Sequence, residues 1–239
     1  DVVIQSFLPK TAQNLGVDYE SLRARNPRLI YASISGYGAK GPLKDKPGYD
    51  LMVAAYAGIM SLTGEADGPP VKPGVIVVDL GTAMLTYSAI LSALFARAEG
   101  RCEGQRIDTS LLETGVSLLA FRGLNYLNRG VVDKREGAGY SSLAPYGAFA
   151  CADGDILIGA ATQRAWESLC AVLELPELLH DPRFEDGAAR CENAMALRGL
   201  LEVRLGEGEM SRWLEALEGA GVPSSAINTV DRVLEDPQV

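Results

Sequence analysis

The sequence predicts an α/β protein in two parts: a larger part around a parallel sheet and a smaller α+β part. Strand and helix patterns alternate over residues 1–130, which is typical of parallel strands with helices on the faces of the sheet. Residues 131–142 are polar and contain glycine, as expected for a linker. A hairpin pattern followed by helices fills residues 143–239 and indicates the α+β part.

The larger part is predicted to contain three strands and four helices. Short apolar runs predict strands at residues 2–5, 28–35 and 104–110. Glycine, proline and lysine between residues 36 and 48 indicate a loop. Apolar residues at helical spacing predict the four helices, at residues 19–26, 49–62, from 80 onward, and 111–128.

The smaller part is predicted to open with a β-hairpin. The sequence Ala152-Asp-Gly154 is a strong turn signal between apolar runs at 145–151 and 155–159. Helical patterns follow, and a short strand and a helix fragment close the chain. The helices are predicted at residues 163–173, 188–205 and 210–220, and the strand at 222–227.

Asp79 is the strongest candidate for chemistry. It lies between an apolar run that ends at Val78 and the long helical pattern that begins at Leu80. The sequence predicts Asp79 as the N-cap of that helix, where the helix end favours an ionised carboxylate, and Gly81 as a place for close ligand approach. An ordinary helix cap is the alternative. The helix is predicted to bury the face formed by Leu80, Met84, Tyr87, Leu91 and Leu94.

Other residue types offer few routes to catalysis. The single histidine, His180, lies in a predicted turn without a nucleophile beside it in the sequence. The four cysteines form no Cys-x-x-Cys pair, which argues against a zinc site and against a disulfide framework. They are expected to be reduced thiols of an intracellular protein.

The composition excludes further classes of function. Lys and Arg number 22 against 31 Asp and Glu, and the net charge of −9 argues against non-specific nucleic-acid binding. No uninterrupted apolar run approaches the roughly 20 residues of a membrane span, and we expect no membrane partner. The chain begins Asp1-Val-Val-Ile4 without Met, and we expect it to be an excerpt of a longer protein.

A series of motifs along the chain resembles the family III CoA-transferases (CaiB/BaiF family). The resemblance follows the expected order over nearly the whole sequence. The motifs are Asn26-Pro-Arg-Leu-Ile-Tyr-Ala-Ser-Ile-Ser-Gly-Tyr-Gly38, Gly41-Pro42, Pro47-Gly-Tyr-Asp50, Thr63-Gly64, Gly68-Pro-Pro70, Gly104-Gln-Arg-Ile-Asp108, Ala220-Gly-Val-Pro223, Ile227-Asn228 and Asp236-Pro-Gln-Val239.

The resemblance implies a mechanism centred on Asp79. Family members move CoA between carboxylic acids with one aspartate nucleophile, through an aspartyl anhydride and an aspartyl-CoA thioester. The CoA thioester is then a substrate, and no permanently bound cofactor or metal is expected. Short dicarboxylates are the expected acids, with succinyl-CoA as donor. The resemblance also implies that the sheet of the larger part belongs to a nucleotide-fold domain.

The resemblance also implies where CoA binds. Ser6, Phe7 and Leu8 match a family segment that lines the CoA site, although Ser6 and Leu8 replace the usual amide and basic residue. Asn14 stands where some members use an arginine. A second stretch is expected to contact CoA, with Asp50 capping the helix that it begins or holding a neighbouring group. That stretch is Lys46, Pro47, Gly48, Tyr49 and Asp50.

The substrate loop, partners and location are further expectations. Tyr140, Ser141 and Ser142 lie where relatives carry a segment over the active site, so their hydroxyls are candidates for binding a distal carboxylate; ordinary linker residues are the alternative. The resemblance implies a homodimer whose two chains interlock like linked rings. The expected location is the cytoplasm, or the mitochondrial matrix or peroxisome of a eukaryote.

Two alternative functions stay open. Acyl-CoA racemases of the same fold use a histidine at the position of Tyr49 and an aspartate matching Asp79. A racemase needs an acid/base pair on opposite faces of the α-carbon, and a tyrosine hydroxyl gives up its proton far less readily than an imidazolium. The other alternative is a non-catalytic relative that binds acyl-CoA, against which the presence of Asp79 argues.

Overall fold

The computed structural model describes all residues, Asp1–Val239. The chain divides into two compact units, Asp1–Arg135 and Glu136–Val239. The division falls within residues 131–142, the segment predicted as a linker. The first unit contains a parallel sheet and the second an antiparallel one, so the fold is mixed α/β.

The first unit is built on three parallel strands in the order β1-β2-β3. They are β1 (Val2–Gln5), β2 (Ile30–Ser35) and β3 (Gln105–Ser110), close to their predicted positions. Ile30 pairs with Val2 on one side and with Gln105 on the other. The helices are α1 (Pro9–Asn14), α2 (Tyr19–Arg25), α3 (Asp50–Tyr56), α4 (Val77–Ala98), α5 (Leu111–Leu118) and α6 (Phe121–Arg129).

Two helices differ from their predicted extents. The helix predicted at 49–62 ends at Tyr56 and is followed by the short 3₁₀ helix Ile59–Ser61. The helix predicted at 111–128 is two helices, α5 and α6, separated at Ala120, which has a φ of 47°. Helix α1 was not predicted, because six residues with a single buried side chain, Ala12, give no readable periodicity.

Helix α4 buries a different face from the one predicted. Its buried residues are Val78, Thr82, Thr86, Ile90 and Ala93. Leu94 is partly buried, whereas the other residues of the predicted face are exposed: Leu80, Met84, Tyr87 and Leu91. The threonines can be buried because their hydroxyls donate to carbonyls one turn back and bond to threonines of α5 and β3.

The outer face of α4 is therefore an apolar stripe within this chain. The helix is also long and apolar enough, by length and composition, to be a candidate membrane span. Core helices of soluble proteins pass the same test, so this property alone is weak evidence for a membrane. The inner face of α4 packs through Ile90 and Ala93 on Ile30, Ala32 and Ile107 of the sheet.

The second unit has a four-stranded antiparallel sheet in the order β4-β5-β6-β7, including the predicted hairpin. The strands are β4 (Gly139–Tyr140), β5 (Leu143–Ala150), β6 (Asp155–Gly159) and β7 (Ser224–Ala226). The helices are α7 (Gln163–Val172), α8 (Gly187–Glu192), α9 (Ala194–Leu205), α10 (Met210–Gly219) and α11 (Val230–Leu234). Helices α8 and α9 replace the single helix predicted at 188–205, with the break at Asn193.

The core of the second unit is apolar except for one buried arginine. Large side chains such as Trp166, Phe184 and Trp213 fill it. The Arg190 guanidinium is buried among them, donates to three oxygen atoms and stacks 5.2 Å from the centre of the Trp166 ring. These hydrogen bonds allow a charged group to be buried without a carboxylate partner.

Candidate active site

Asp79 lines a cleft of about 380 Å³ in the first unit. The cleft lies where the three parallel strands end, because its walls include the segment after β1, the end of β2 and the residue after β3. Ligands of open α/β sheets commonly bind at this edge. The lining residues are Ser6, Phe7, Leu8, Pro9, Ile34, Ser35, Gly36, Lys44, Lys46, Pro47, Gly48, Tyr49, Asp79 and Leu111.

Two glycines bring the loop after β2 back to the end of that strand. A Cβ added to Gly36 would lie 2.7 Å from both Cα and N of Gly48, and a Cβ on Gly48 would lie 2.8 Å from Cα of Gly36. Only hydrogen atoms fit between these backbones. The close approach starts α3 beside the cleft, with Tyr49 at its N-cap and Asp50 as its first residue.

Asp79 is not the N-cap of α4, contrary to the prediction. The helix begins at Val77, two residues earlier, because the apolar run before Asp79 continues into the helix instead of forming a separate element. The N-cap position belongs to Ile76, whose side chain has no oxygen to accept a hydrogen bond. Asp79 is thus the third helical residue, and its carboxylate is free to face the cleft.

Asp50 caps α4 in place of a residue from α4 itself. One oxygen of its carboxylate, Oδ2, accepts from the backbone amide of Val78 at 2.9 Å and from that of Asp79 at 3.1 Å. Two of the four amides that any helix N-terminus leaves without a partner are satisfied in this way. Of the two roles expected for Asp50, it therefore holds a neighbouring group.

The pKa of Asp79 is raised from its ordinary value, first by partial burial and second by repulsion from Asp50. The sequence had predicted that the helix end would favour the ionised form. The difference arises because partial burial, and then the second carboxylate at the same helix end, oppose ionisation of Asp79. A raised pKa makes the ionised carboxylate more basic.

Gly81 has a role in helix packing. A Cβ at this position would lie 2.9 Å from Cγ2 of Thr114 on α5. The glycine therefore permits α4 and α5 to lie close together, and it is not among the residues that line the cleft of Asp79.

The cleft includes most of the residues expected to contact CoA. Only two of them do not line it: Asn14, the last residue of α1, and Asp50, which contacts the first turn of α4. Tyr49 is 71% exposed. The residues that do line the cleft are Ser6, Phe7, Leu8, Lys46, Pro47, Gly48 and Tyr49.

Two lysines supply positive charge to the cleft. Lys44 and Lys46 both line it, and the ammonium group of Lys46 lies 5.5 Å from the centre of the Tyr37 ring. Strand-end residues such as Ser35 and Leu111 also line the cleft and were not predicted. Their positions directly at the ends of β2 and β3 are the signal that could have identified them.

A smaller cavity of about 150 Å³ lies on the polar face of the same sheet. It shares Phe7, Pro9, Ser35 and Lys44 with the cleft of Asp79. Its wall includes Gln5, whose side-chain amide donates to the Ser33 hydroxyl at 2.8 Å. The two cavities thus form neighbouring spaces with a common wall.

The predicted substrate-loop residues belong to the second unit. The ring of Tyr140, in β4, packs edge-to-face against Tyr146, with ring centres 5.4 Å apart. The backbone amide of Ser141 donates to Oε1 of Glu136 at 3.2 Å, and the Ser141 hydroxyl contacts the same atom. Ser142 lies between β4 and β5 and is exposed.

Neither cysteine nor histidine forms a catalytic arrangement. All four cysteines are free, and burial raises the pKa of Cys170 to about 12 and that of Cys151 to about 11, so both thiols are protonated at neutral pH. His180 is exposed at the end of the short 3₁₀ helix Pro176–His180. No group of three or more His, Cys, Asp or Glu residues is placed to hold a metal ion.

Comparison with known proteins gives consistent matches over the whole chain. An acyl-CoA transferase of Fusarium pseudograminearum is 40% identical over 238 residues, and the succinyl-CoA:glutarate CoA-transferase of Homo sapiens is 36% identical over 239 residues. Each match covers 100% of this chain, and 52% and 54% of the respective relatives. The chain therefore spans about half the length of these curated relatives.

A solved structure of a CaiB/BaiF family protein from Brucella suis matches the fold closely. It has a TM-score of 0.93 and 41% identity, and the match covers 100% of this chain and 63% of that protein. The sequence model of CoA-transferase family III matches residues 1–239. The chain belongs to CoA-transferase family III.

Proposed function

We propose that the protein containing this chain transfers CoA between carboxylic acids and that Asp79 is its covalent nucleophile. One observation carries the proposal: in a family III chain, the Asp79 carboxylate lines a cleft at the carboxyl ends of the parallel strands, together with two lysines. The cleft contains no cysteine, and it contains no histidine that could activate its serines, Ser6 and Ser35, as nucleophiles.

The proposed reaction proceeds through two kinds of covalent intermediate. The Asp79 carboxylate attacks the donor thioester carbonyl, which forms a mixed anhydride and releases CoA thiolate. The thiolate then attacks the aspartyl carbonyl, giving an aspartyl-CoA thioester and the free donor acid. The acceptor carboxylate attacks this thioester, forms a new anhydride and again releases thiolate. Attack of the thiolate on the acceptor acyl group yields the new acyl-CoA and restores Asp79.

A carboxylate nucleophile suits this exchange because each intermediate resembles the acyl groups that are exchanged. No step is then strongly uphill, and covalent capture divides one difficult exchange into easier ones. The lysines that line the cleft, Lys44 and Lys46, are suited to attract the negatively charged CoA. We propose that Ser6, Phe7, Leu8 and residues 46–49 contact CoA, with Asn14 beyond the cleft.

Short dicarboxylates are the proposed acids, with succinyl-CoA as donor. The support comes from the human relative, which is named as a succinyl-CoA:glutarate CoA-transferase. The hydroxyls of Tyr140, Ser141 and Ser142 are proposed to bind the distal carboxylate. These three residues lie in the second unit, so their part in the site rests on the family resemblance.

A homodimer is proposed for the full-length protein, with interlocked chains. The apolar stripe on the outer face of α4 supports association, since exposed apolar patches of this kind commonly mark interaction surfaces. A cytoplasmic location is proposed with it, in keeping with four free cysteines.

The test is acyl exchange by the full-length protein. Succinyl-CoA is incubated with a panel of mono- and dicarboxylic acids in deuterated water, and the CoA products are identified by mass spectrometry. We expect new acyl-CoA species from short dicarboxylates. Deuterium incorporation at the α-carbon without exchange would indicate a racemase, and neither reaction would indicate a non-catalytic binder.

A further inference from the structure

The start of α4 depends on an acceptor from another helix. The N-cap residue Ile76 cannot accept a hydrogen bond through its side chain, and no other side chain of α4 caps the helix. Asp50 of α3 fills this position through Oδ2, at 2.9 Å from the Val78 amide and 3.1 Å from the Asp79 amide. The residue proposed as nucleophile is therefore held by its own backbone amide.

The surroundings of Asp50 are closely packed. Its helix begins two residues after Gly48, whose backbone packs closely against Gly36 at the end of β2. Val53 of the same helix is fully buried and packs with Val78, the residue next to Asp79. Asp50 thus links the carboxyl end of β2 to the first turn of α4.

We propose that Asp50 is a positioning residue for the transfer reaction, fixing where the Asp79 carboxylate stands in the cleft. This inference rests on the function proposed above. Capping needs only an oxygen acceptor, which an asparagine also supplies. A carboxylate adds negative charge beside Asp79 and keeps Asp79 more basic, which favours its attack on a thioester carbonyl.

Other charged groups lie on the elements that pack against α4. The loop before α3 contributes Lys44 and Lys46 to the cleft. Their charge is opposite to that of Asp50. The Glu113 carboxylate of α5 accepts from the Ser110 hydroxyl at 2.7 Å. Arg106 and Asp108 of β3 pair with each other, and the Tyr31 hydroxyl of β2 donates to the carbonyl of Val17. Asp50 is the charged side chain bonded to the turn that contains Asp79.

Three variants of the full-length protein separate positioning from charge. Asp50→Ala removes both the acceptor and the charge, whereas Asp50→Asn keeps an acceptor and removes the charge. Asp45→Asn is the control, because it removes the same charge from an exposed position in the neighbouring loop. Hydrogen exchange at the amides of residues 78 and 79 reports the cap without any substrate, and steady-state kinetics across pH report the reaction.

The proposal predicts distinct results for the variants. Asp50→Ala should speed exchange of the two amides at least about tenfold and lower kcat at least about tenfold, with KM changed less. Asp50→Asn should keep slow exchange, recover much of kcat and move the acid limb of kcat/KM to lower pH, because Asp79 loses a repelling neighbour. Asp45→Asn should match the wild type in both measurements.

Several outcomes would overturn the inference. Wild-type exchange and kcat in Asp50→Ala would show that Asp50 does not position Asp79. Equal loss of melting temperature and activity in Asp50→Ala and Asp50→Asn, with an unmoved acid limb, would show a structural role only. The amide exchange is independent of catalysis, so a wild type with slow exchange and no acyl transfer would contradict the proposed function and leave the cap established.

Discussion

Two requirements oppose each other at Asp79. A carboxylate nucleophile must be ionised, yet partial burial and the Asp50 charge both raise the pKa of Asp79. A raised pKa is closer to neutral pH than the ordinary value of a carboxyl group. The carboxylate can then still be ionised at neutral pH, and it is more basic than an ordinary carboxylate.

Tyr49 is expected to support binding rather than to transfer a proton. Its side chain lines the cleft, is 71% exposed and belongs to the residue just before Asp50. Replacing Tyr49 with Phe should cost about one hydrogen bond, about 0.5–1.5 kcal/mol, or up to roughly tenfold in kcat/KM for acyl transfer. Steady-state kinetics of the full-length variant measure this, and a loss near a thousandfold would identify a catalytic tyrosine.

At the scale of elements, the cleft depends on the contact between Gly36 and Gly48. A Cβ at Gly48 would also lie 3.2 Å from atoms of the Tyr37 and Val53 side chains, so neither the backbone nor the side chains leave room. Gly48→Ala should destabilise the protein by about 1–3 kcal/mol and reduce transfer, because the start of α3 and its cap on α4 must move. Thermal unfolding and kcat measure the two effects.

The matched control for this substitution is Gly74→Ala. A Cβ at Gly74 meets no atom within 4 Å, and the φ of this residue lies outside the left-handed region. The melting temperature and kcat of Gly74→Ala should therefore equal those of the wild type. If Gly48→Ala behaves like this control, the loop is more adaptable than the close backbone contact indicates.

Local sequence signals were sufficient for most helices and for every strand except β4, whose two residues lie in the segment predicted as a linker. The apolar run at 2–5, the turn at Ala152-Asp-Gly154 and the strand that ends at Ser35 all appear close to where the sequence predicted them. The helix breaks at Ala120 and Asn193 were not predictable, because neither residue is a proline or glycine that would interrupt a helical pattern.

The buried face of α4 and the cap on it could not be read from periodicity. The sequence pattern identifies an apolar stripe but not what covers it, and burial instead follows Thr82 and Thr86, whose hydroxyls find partners inside. The cap on α4 comes from Asp50, which is 28 residues before Val78 in the sequence. A contact of that separation requires the fold.

At the scale of the whole molecule, the exposed apolar face of α4 leads us to expect that the protein forms a dimer. Its outer face is exposed in this chain over its length, and Met84 is 69% exposed. Light scattering should give the full-length protein twice the mass of one chain. Met84→Lys should weaken the dimer, because a charge in an apolar interface is unfavourable. Met195→Lys is the control, since Met195 is 82% exposed on α9 and lies outside the stripe. A stable, active monomer would contradict the proposal.

The most direct test of the central claim is to trap the covalent intermediate. Full-length protein is mixed with succinyl-CoA, quenched with acid and digested, and the peptide containing Asp79 is examined by mass spectrometry. We predict an adduct of CoA, with loss of water, on Asp79 in the wild type and none in Asp79→Asn, whose purity from deamidation is checked by mass. An active wild type without this adduct would contradict the account, as would turnover by Asp79→Asn within about tenfold of wild type, a difference of only about 1.4 kcal/mol.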